Sequence, residues 1–301
     1  MQEIKVSVVI PVYGRGEKAK ACVKSVMESN YENIEIIIID SPRDGIRAFD
    51  EMCETRKLKI KRLSKRTYTS EARNLGANEA SGKYIFFLDS DNQLDPEAIS
   101  AMVKHMEENE STGVVGPVAY YLLDKDEVWG AGVYKTKLLR IHRSYPKEYL
   151  HKEAYDADII QNAFMVRTDL FKRGIIFDSR NFTFHEDETD FQWCIREANF
   201  KTMVLASAVT YHDIGRTLDH LSPESLYFSQ KGRFWIEKKH KNMKGVFGFF
   251  WFSSIVLLPY YLIMVQIMKR FSIGEALHLL CYFIRGTSSG LIKSPQIIVQ
   301  E

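Results

Sequence analysis

Tyr84-Ile85-Phe86-Phe87-Leu88-Asp89-Ser90-Asp91 opens on five apolar residues and closes on two carboxylates two positions apart. With Gly82 before it and Asn92 and Pro96 after it, the run reads as a short buried strand that stops abruptly. Open α/β sheets bind ligands in the crevice beyond the carboxyl ends of their strands, so the two acids are expected to face a ligand. Hard oxygen donors of this kind suit Mg²⁺ or Mn²⁺. Two further Asp-x-Asp pairs occur, Asp124/Asp126 and Asp156/Asp158. The first lies in the charged stretch Asp124-Lys125-Asp126-Glu127, which reads as a solvated turn. The second lies on the polar approach to Ile159, and both read as surface.

Outward from this strand, apolar runs alternate with helical periodicity. Val6 to Val12 is a β-branched strand, followed by Ala19, Cys22, Val23, Val26 and Met27 at helical spacing. Ile34 to Ile39 is a second strand, ended by Asp40 and a Pro42/Gly45 turn, and a helix carries Ile46, Phe49 and Met52. A short strand over Lys59 to Leu63 and a helix from Ser70, read as its N-cap, to Ala80 lead back to Tyr84. This alternation predicts an α/β domain with a mainly parallel sheet. Asp95-Pro96-Glu97 reads as the N-cap and first turn of another helix. Short strands near Val114 to Val118 and Ile159 to Val166, and a helix over Asp190 to Ala198, complete a mixed second half.

Bulk properties narrow the function. In 301 residues, 41 basic side chains nearly balance 39 acidic ones, which argues against a nucleic-acid binder. Cys22, Cys53, Cys194 and Cys281 are widely spaced and read as reduced packing residues of a cytosolic domain. The first apolar run stops at Pro11, too early for a secretory signal, so the N-terminal domain is expected in the cytoplasm. Residues 224 to 244 read as a basic, amphipathic interfacial helix with Tyr227, Phe228, Phe234 and Trp235 as anchors. Val246 to Met268 carries no charge and as a helix would measure about 34 Å, enough for a transmembrane or, given Pro259, a re-entrant segment. Ile273 to Ile284 adds an apolar stretch that either lies along the interface or packs on that segment. The expected division is therefore 1–222 catalytic, 223–245 interfacial, 246–268 in the membrane and 269–301 an amphipathic tail.

Four blocks together resemble the family 2 glycosyltransferases, inverting enzymes of the GT-A fold, including rhamnosyltransferase-like and archaeal or bacterial glycan-assembly members. They are Val6-Ser7-Val8-Val9-Ile10-Pro11-Val12-Tyr13; Ile36-Ile37-Ile38-Ile39-Asp40; Ala72-Arg73-Asn74-Leu75-Gly76 with Ala80-Ser81-Gly82-Lys83-Tyr84 and Asp89-Ser90-Asp91; and Phe177-Asp178, then His185-Glu186-Asp187-Glu188-Thr189-Asp190-Phe191-Gln192-Trp193, then Tyr211-His212-Asp213. Three departures stand out. Gly14 replaces the Asn that usually follows the first-strand Tyr, Ser41-Pro42-Arg43 replaces a second acid, and the acceptor-side acid pair aligns either as Glu186-Asp187 or as Asp187-Glu188.

The resemblance implies a nucleotide-sugar donor bound by Pro11, Val12, Tyr13, Asp40, Arg73, Asp89 and Ser90, and Mg²⁺ or Mn²⁺ held by Asp91 with Asp89 and His212. Arg73 would pair with a phosphate or with an acid of the metal loop. The implied base is Glu188 or Asp187, and Gln161, Asn162 and Asp190 are the acceptor-side residues. The implied acceptor is a glycan or lipid-linked molecule at the cytoplasmic face of the cell membrane. Two alternatives stay open: transfer to a polyprenyl phosphate, or a non-catalytic, membrane-anchored subunit of the same fold. No Gly-x-Gly-x-x-Gly follows the first strand, which disfavours a dehydrogenase.

Overall fold

The β-branched run after Ile4 forms β1 (Val6–Tyr13), all but two of its side chains buried. The computed structural model describes residues 4–14, 16–43, 48–49, 57–135, 142–144, 147–183, 185–213, 222–260 and 273–295. Ile46, Met52, Cys53, Phe184 and the stretch 261–268 lie outside these residues.

In chain order β1 is followed by α1 (Gly16–Met27), β2 (Ile34–Ser41), β3 (Leu58–Arg62), α2 (Thr69–Glu79), β4 (Tyr84–Leu88), β5 (Asn92–Leu94) and α3 (Ala98–Glu108). Next come β6 (Thr112–Tyr121), β7 (Asp124–Gly130), β8 (Val133–Lys135), β9 (His142–Ser144), β10 (Ala154–Asp156), β11 (Ala163–Arg167) and α4 (Thr168–Lys172). The remainder is α5 (Asp187–Glu197), β12 (Lys201–His212), α6 (Pro223–Lys239), α7 (Met243–Phe252), a π-helical turn Ser253–Leu257, and α8 (Ile273–Ile292). The chain divides into two compact units. Unit one holds Met1–Tyr134, Ser144–Phe177 and Phe191–Ile214, and unit two holds Lys135–Arg143, Asp178–Asp190 and Gly215–Glu301.

Unit one is a ten-stranded mixed sheet in the order β10-β12-β6-β11-β4-β1-β2-β3, with β5 on β12 and β7 on β6. The β4-β1-β2-β3 half is parallel, as continuous apolar strands covered on both faces should be. One face packs Val8, Ile10, Phe86 and Leu88 against α1 and α3, and the other packs Val9, Ile37, Phe87 and Phe164 with Phe177 and Phe191. At the amino ends, the buried Glu35 accepts from Ser7 Oγ (2.6 Å), Ser81 N (2.7 Å) and the ammonium groups of Lys5 and Lys59 (3.0 and 3.1 Å).

Several local readings change. Asp124–Gly130 pairs antiparallel with β6, because the reversal falls at Leu122-Leu123 and not within the charged residues. Ser70 is not a cap: α2 begins at Thr69, with Tyr68 in the cap position and no side-chain hydrogen bond there. Asp95 starts a turn ahead of α3, accepting from Glu97 N (3.1 Å).

In unit two the expected single helix 224–244 is two. Lys241 takes a left-handed φ of 52° and ends α6, as residues past a helix C-terminus commonly do, and Asn242 caps α7 through Gly245 N. Phe234 is not an interfacial anchor, since it is fully buried against Phe249 (ring centroids 4.9 Å). α8 packs on α6 through Gly286 and Gly290. A Cβ at Gly286 would lie 2.6 Å from Tyr227 O, and one at Gly290 would lie 2.8 Å from the Phe234 ring. Lys238 Nζ donates to the carbonyls of Gly290, Leu291 and Lys293 (2.7–2.8 Å). Met243–Tyr260 is long and apolar enough to cross a membrane, and it exposes Phe247, Trp251 and Ile255 by more than half. Cys281, expected to pack, is exposed on α8.

Candidate functional site

The parallel strands β1, β2 and β4 end side by side: Val12 is opposite Asp40, Tyr13 is opposite Ser41, and Leu88 leads into Asp89-Ser90-Asp91. The end of β12 joins them, because His212 pairs with Asn92 of β5 and Asp213 N donates to Asp91 O (2.7 Å). Unit one thus gathers the acid motif and His212 from positions more than a hundred residues apart. His212 Nε2 lies 3.4 Å from Asp91 Oδ1, and both side chains are nine-tenths or more buried. Asp89 N donates to Asn162 O (2.8 Å), which brings the turn before β11 alongside.

Arg73 resolves toward the acid of the loop. Its guanidinium donates to Asp89 Oδ1 (2.8 Å) and lies 5.5 Å from the ring centres of both Phe164 and Phe177. An arginine only 2% exposed needs such a partner, and the pair fixes the Asp89 carboxylate. Cys22, buried beside the loop with Sγ 3.7 Å from Asp89 O, reports the local charge. Burial, then the negative charges of Asp91 and Asp89, push its thiol well up.

The residues expected on the donor side divide into side chains that face the strand ends and side chains used internally. Val12 is buried in the core, so only its backbone is available there. Asp40 is fully buried, and its carboxylate accepts from Ala48 N (3.2 Å) and Phe49 N (2.9 Å). Ser41, where an acid is usual, accepts from Thr67 N (2.7 Å) and ties β2 to the loop after β3. Pro11 and Tyr13 are half-buried, and Ser90 is buried. Gly14 has φ +61°, and a Cβ there would meet Arg43 Cβ at 2.4 Å. Asn and Gly both take this backbone readily, and of the two only Gly avoids the contact with Arg43.

Sequence reasoning missed Arg66, whose guanidinium lies 5.0 Å from the Tyr13 ring centre and 4.6 Å from that of Tyr68. The signal was a basic residue two positions before Tyr68 in the loop after β3. It also missed Trp129, whose ring meets that of His212 edge-on at 4.4 Å, and Lys18, which pairs with Asp213 (3.1 Å). Gln161 is exposed, and Asn162 adopts a left-handed φ of 66°.

Asp187, Glu188 and Asp190 occupy the first turn of α5, in unit two. Asp187 is buried and Glu188 half-buried. Asp190 is fully buried, with Oδ2 held by Lys239 Nζ (2.8 Å) and Oδ1 by His240 Nε2 (3.1 Å). Lys239 also pairs with Asp178 (2.9 Å). Although burial opposes it, the charge of Asp190 holds the Lys239 ammonium above its ordinary value. Arg233 lies between Glu186 and Glu237. The segment 185–190 is therefore fastened to α6.

A hard divalent cation fits the chemistry of the Asp89, Asp91 and His212 set, which offers carboxylate oxygens and one imidazole and no thiolate. The neighbouring Asn92 is fully buried, and its Oδ1 has no hydrogen-bond partner among the described residues.

Comparison with known proteins locates this arrangement. The family described as Glycosyl transferase family 2 matches residues 7–174. A Rickettsia conorii protein described as an uncharacterized glycosyltransferase is 41% identical over 111 residues, 36% of this chain and 18% of its own length. The chain thus spans less than a fifth of that relative. The amylovoran biosynthesis glycosyltransferase AmsB of Erwinia amylovora is 27% identical over 261 residues, 83% of each chain. Among solved structures, GalNAc-T7 with UDP, GalNAc and Mn²⁺ superposes with a TM-score of 0.62 at 14% identity, covering 85% of this chain and 57% of that one, a likeness of fold.

Proposed function

The chain belongs to glycosyl transferase family 2, and on that premise we propose that it is an inverting transferase moving a sugar from a nucleotide-diphosphate donor to an acceptor hydroxyl. The observation that carries the reading is the meeting of Asp91 and His212 beside the Arg73-braced Asp89 at the carboxyl ends of the parallel strands. Asp91, Asp89 and His212 would hold Mg²⁺ or Mn²⁺, and GalNAc-T7, of like fold, is described with Mn²⁺ and UDP. When bound there, the cation offsets the negative charge that grows on the departing diphosphate. Tyr13 and the backbone of Pro11 and Val12 border the place for the base, and Asp40 acts there by holding residues 48 and 49. Asp187 or Glu188 accepts the proton of the acceptor hydroxyl as its oxygen attacks the anomeric carbon. A single displacement, through a transition state of oxocarbenium character like that of glycosidases, inverts that centre.

Exposed Phe247, Trp251 and Ile255, with Lys244 and Lys241 close by in the chain, support placing the C-terminal helices at the cytoplasmic face of the cell membrane. That placement favours a lipid-linked or membrane-borne glycan acceptor.

Calorimetry of the full chain with UDP, GDP and TDP, with Mn²⁺ and with chelator, tests the donor side. One nucleotide should bind in a Mn²⁺-dependent manner, and Asp91→Asn should abolish that binding. Either Asp187→Asn or Glu188→Gln should keep binding and lose transfer by at least about a hundredfold. Metal-independent binding would overturn the assignment of Asp91, and full transfer by both acid variants would overturn that of the base. Transfer to a polyprenyl phosphate by both variants would favour an acceptor already ionised, and binding without transfer to any acceptor would favour the non-catalytic subunit.

A further inference from the structure

His212 is held on three sides by residues of unit one. Nε2 lies 3.4 Å from Asp91 Oδ1, Nδ1 lies 3.4 Å from Asn162 Nδ2, and Trp129 meets the ring edge-on at 4.4 Å. An imidazole has one lone pair and one N–H when neutral, so the group facing Nδ1 decides what Nε2 can offer. With the amide nitrogen of Asn162 toward Nδ1, the ring proton sits on Nε2 and is directed at Asp91. With the amide rotated half a turn, the carbonyl oxygen accepts from Nδ1–H, and Nε2 presents its lone pair on the side of Asp91.

Asn162 is placed for this task by its backbone. Its φ of 66° is a conformation that only Gly, Asn and Asp enter readily. The same residue gives its carbonyl to Asp89 N (2.8 Å). One residue therefore touches the first acid of the motif through its main chain and the imidazole through its side chain. A Gly at this position would keep the backbone and the bond to Asp89 while losing the contact to His212.

We propose that Asn162 is a positioning residue that sets the tautomer and ring orientation of His212, its amide turning so that Nε2 is free to ligate the divalent cation of the site. This rests on the proposed metal-dependent reading and gives Asn162 a role distinct from shaping the acceptor pocket. Groups that hold the remote nitrogen of a metal-binding histidine typically change metal affinity by 10–100-fold.

The test is Mn²⁺ titration of the full chain by electron paramagnetic resonance, together with ¹⁵N shifts of the His212 ring in metal-free protein. Asn162→Gly should weaken Mn²⁺ binding by roughly 10–100-fold, leave the melting temperature within a few degrees, and give mixed tautomers. Asn162→Asp, which offers only acceptors to Nδ1, should restore or tighten Mn²⁺ binding and shift the metal-free ring to the Nδ1–H form. A general structural effect would not distinguish these two substitutions in opposite directions. Parent-like Mn²⁺ affinity and parent-like ring shifts in Asn162→Gly would overturn the proposal. No Mn²⁺ binding by the parent chain would overturn the metal reading itself and this inference with it.

Discussion

Arg73 and Asp89 show how a single pair ties packing to chemistry. The arginine is buried between Phe164 and Phe177 and directs its charge at the motif. Arg73→Lys should therefore behave as a disruptive change, because an ammonium cannot lie against both rings and reach the carboxylate as the planar fork does. We expect Arg73→Ala to cost roughly 3 kcal/mol in urea unfolding, near the lower end for breaking a buried pair since Asp89 is partly exposed, with Arg73→Lys recovering less than half. The acids Asp89 and Asp91 were legible in the sequence because the strand and the motif are contiguous. Arg73 was legible as a candidate with two partners, and only the fold could choose between them. The contacts of Asn162 and Trp129 with His212 were not legible, since they depend on three strands that meet only after β6, β7, β11 and β12 have paired. Asp40, expected to end its strand, lies one residue inside the end of β2, and its carboxylate serves the amides of residues 48 and 49, a use no local pattern encodes.

At the level of elements, local chemistry announced some boundaries and concealed others. Ser222 and Pro223 start α6 as a cap and first-position proline should. Its end at Lys239 was hidden because the left-handed residue is a lysine, whose sequence gives no turn signal. The seating of α8 on α6 went unread, since 273–284 was expected at the interface or on 246–268; its signal is Gly286-Thr287-Ser288-Ser289-Gly290, two glycines four apart that let helix backbones approach closely. We expect Gly286→Val to destabilise that pairing by about 1–3 kcal/mol, since its Cβ would press on the carbonyl of Tyr227. Hydrogen exchange should show it as faster exchange of α6 amides, with the β-sheet amides of unit one unchanged.

For the whole chain, acid stability follows from Glu35, at the end of the sheet away from the candidate site. Burial alone would favour its neutral form, yet hydrogen bonds from Ser7, Ser81 and Lys5 hold its carboxyl at about 2, against about 4.3 in an unfolded chain. A carboxylate held low stabilises the fold above the unfolded value and loses that contribution as pH falls. About 3 kcal/mol should therefore be present at pH 5 and above and fade between pH 4.5 and 2. Thermal melts across that window should be steeper for the parent chain than for Glu35→Gln. A buried glutamate inside an isoleucine strand was overlooked because the strand's apolar neighbours dominate its pattern. The same two-unit architecture also has a consequence in time. Asp178 and Asp190 find Lys239 and His240 only 49 to 61 residues further along the chain. At 5–20 residues per second a ribosome needs roughly 3–12 s to reach them. Through that interval Asp178 has only its local hydrogen bonds from Asn181 and Asp190 lacks both basic partners, so the ion pairs that fasten 185–190 to α6 form late, after most of the sheet that precedes them has been synthesised.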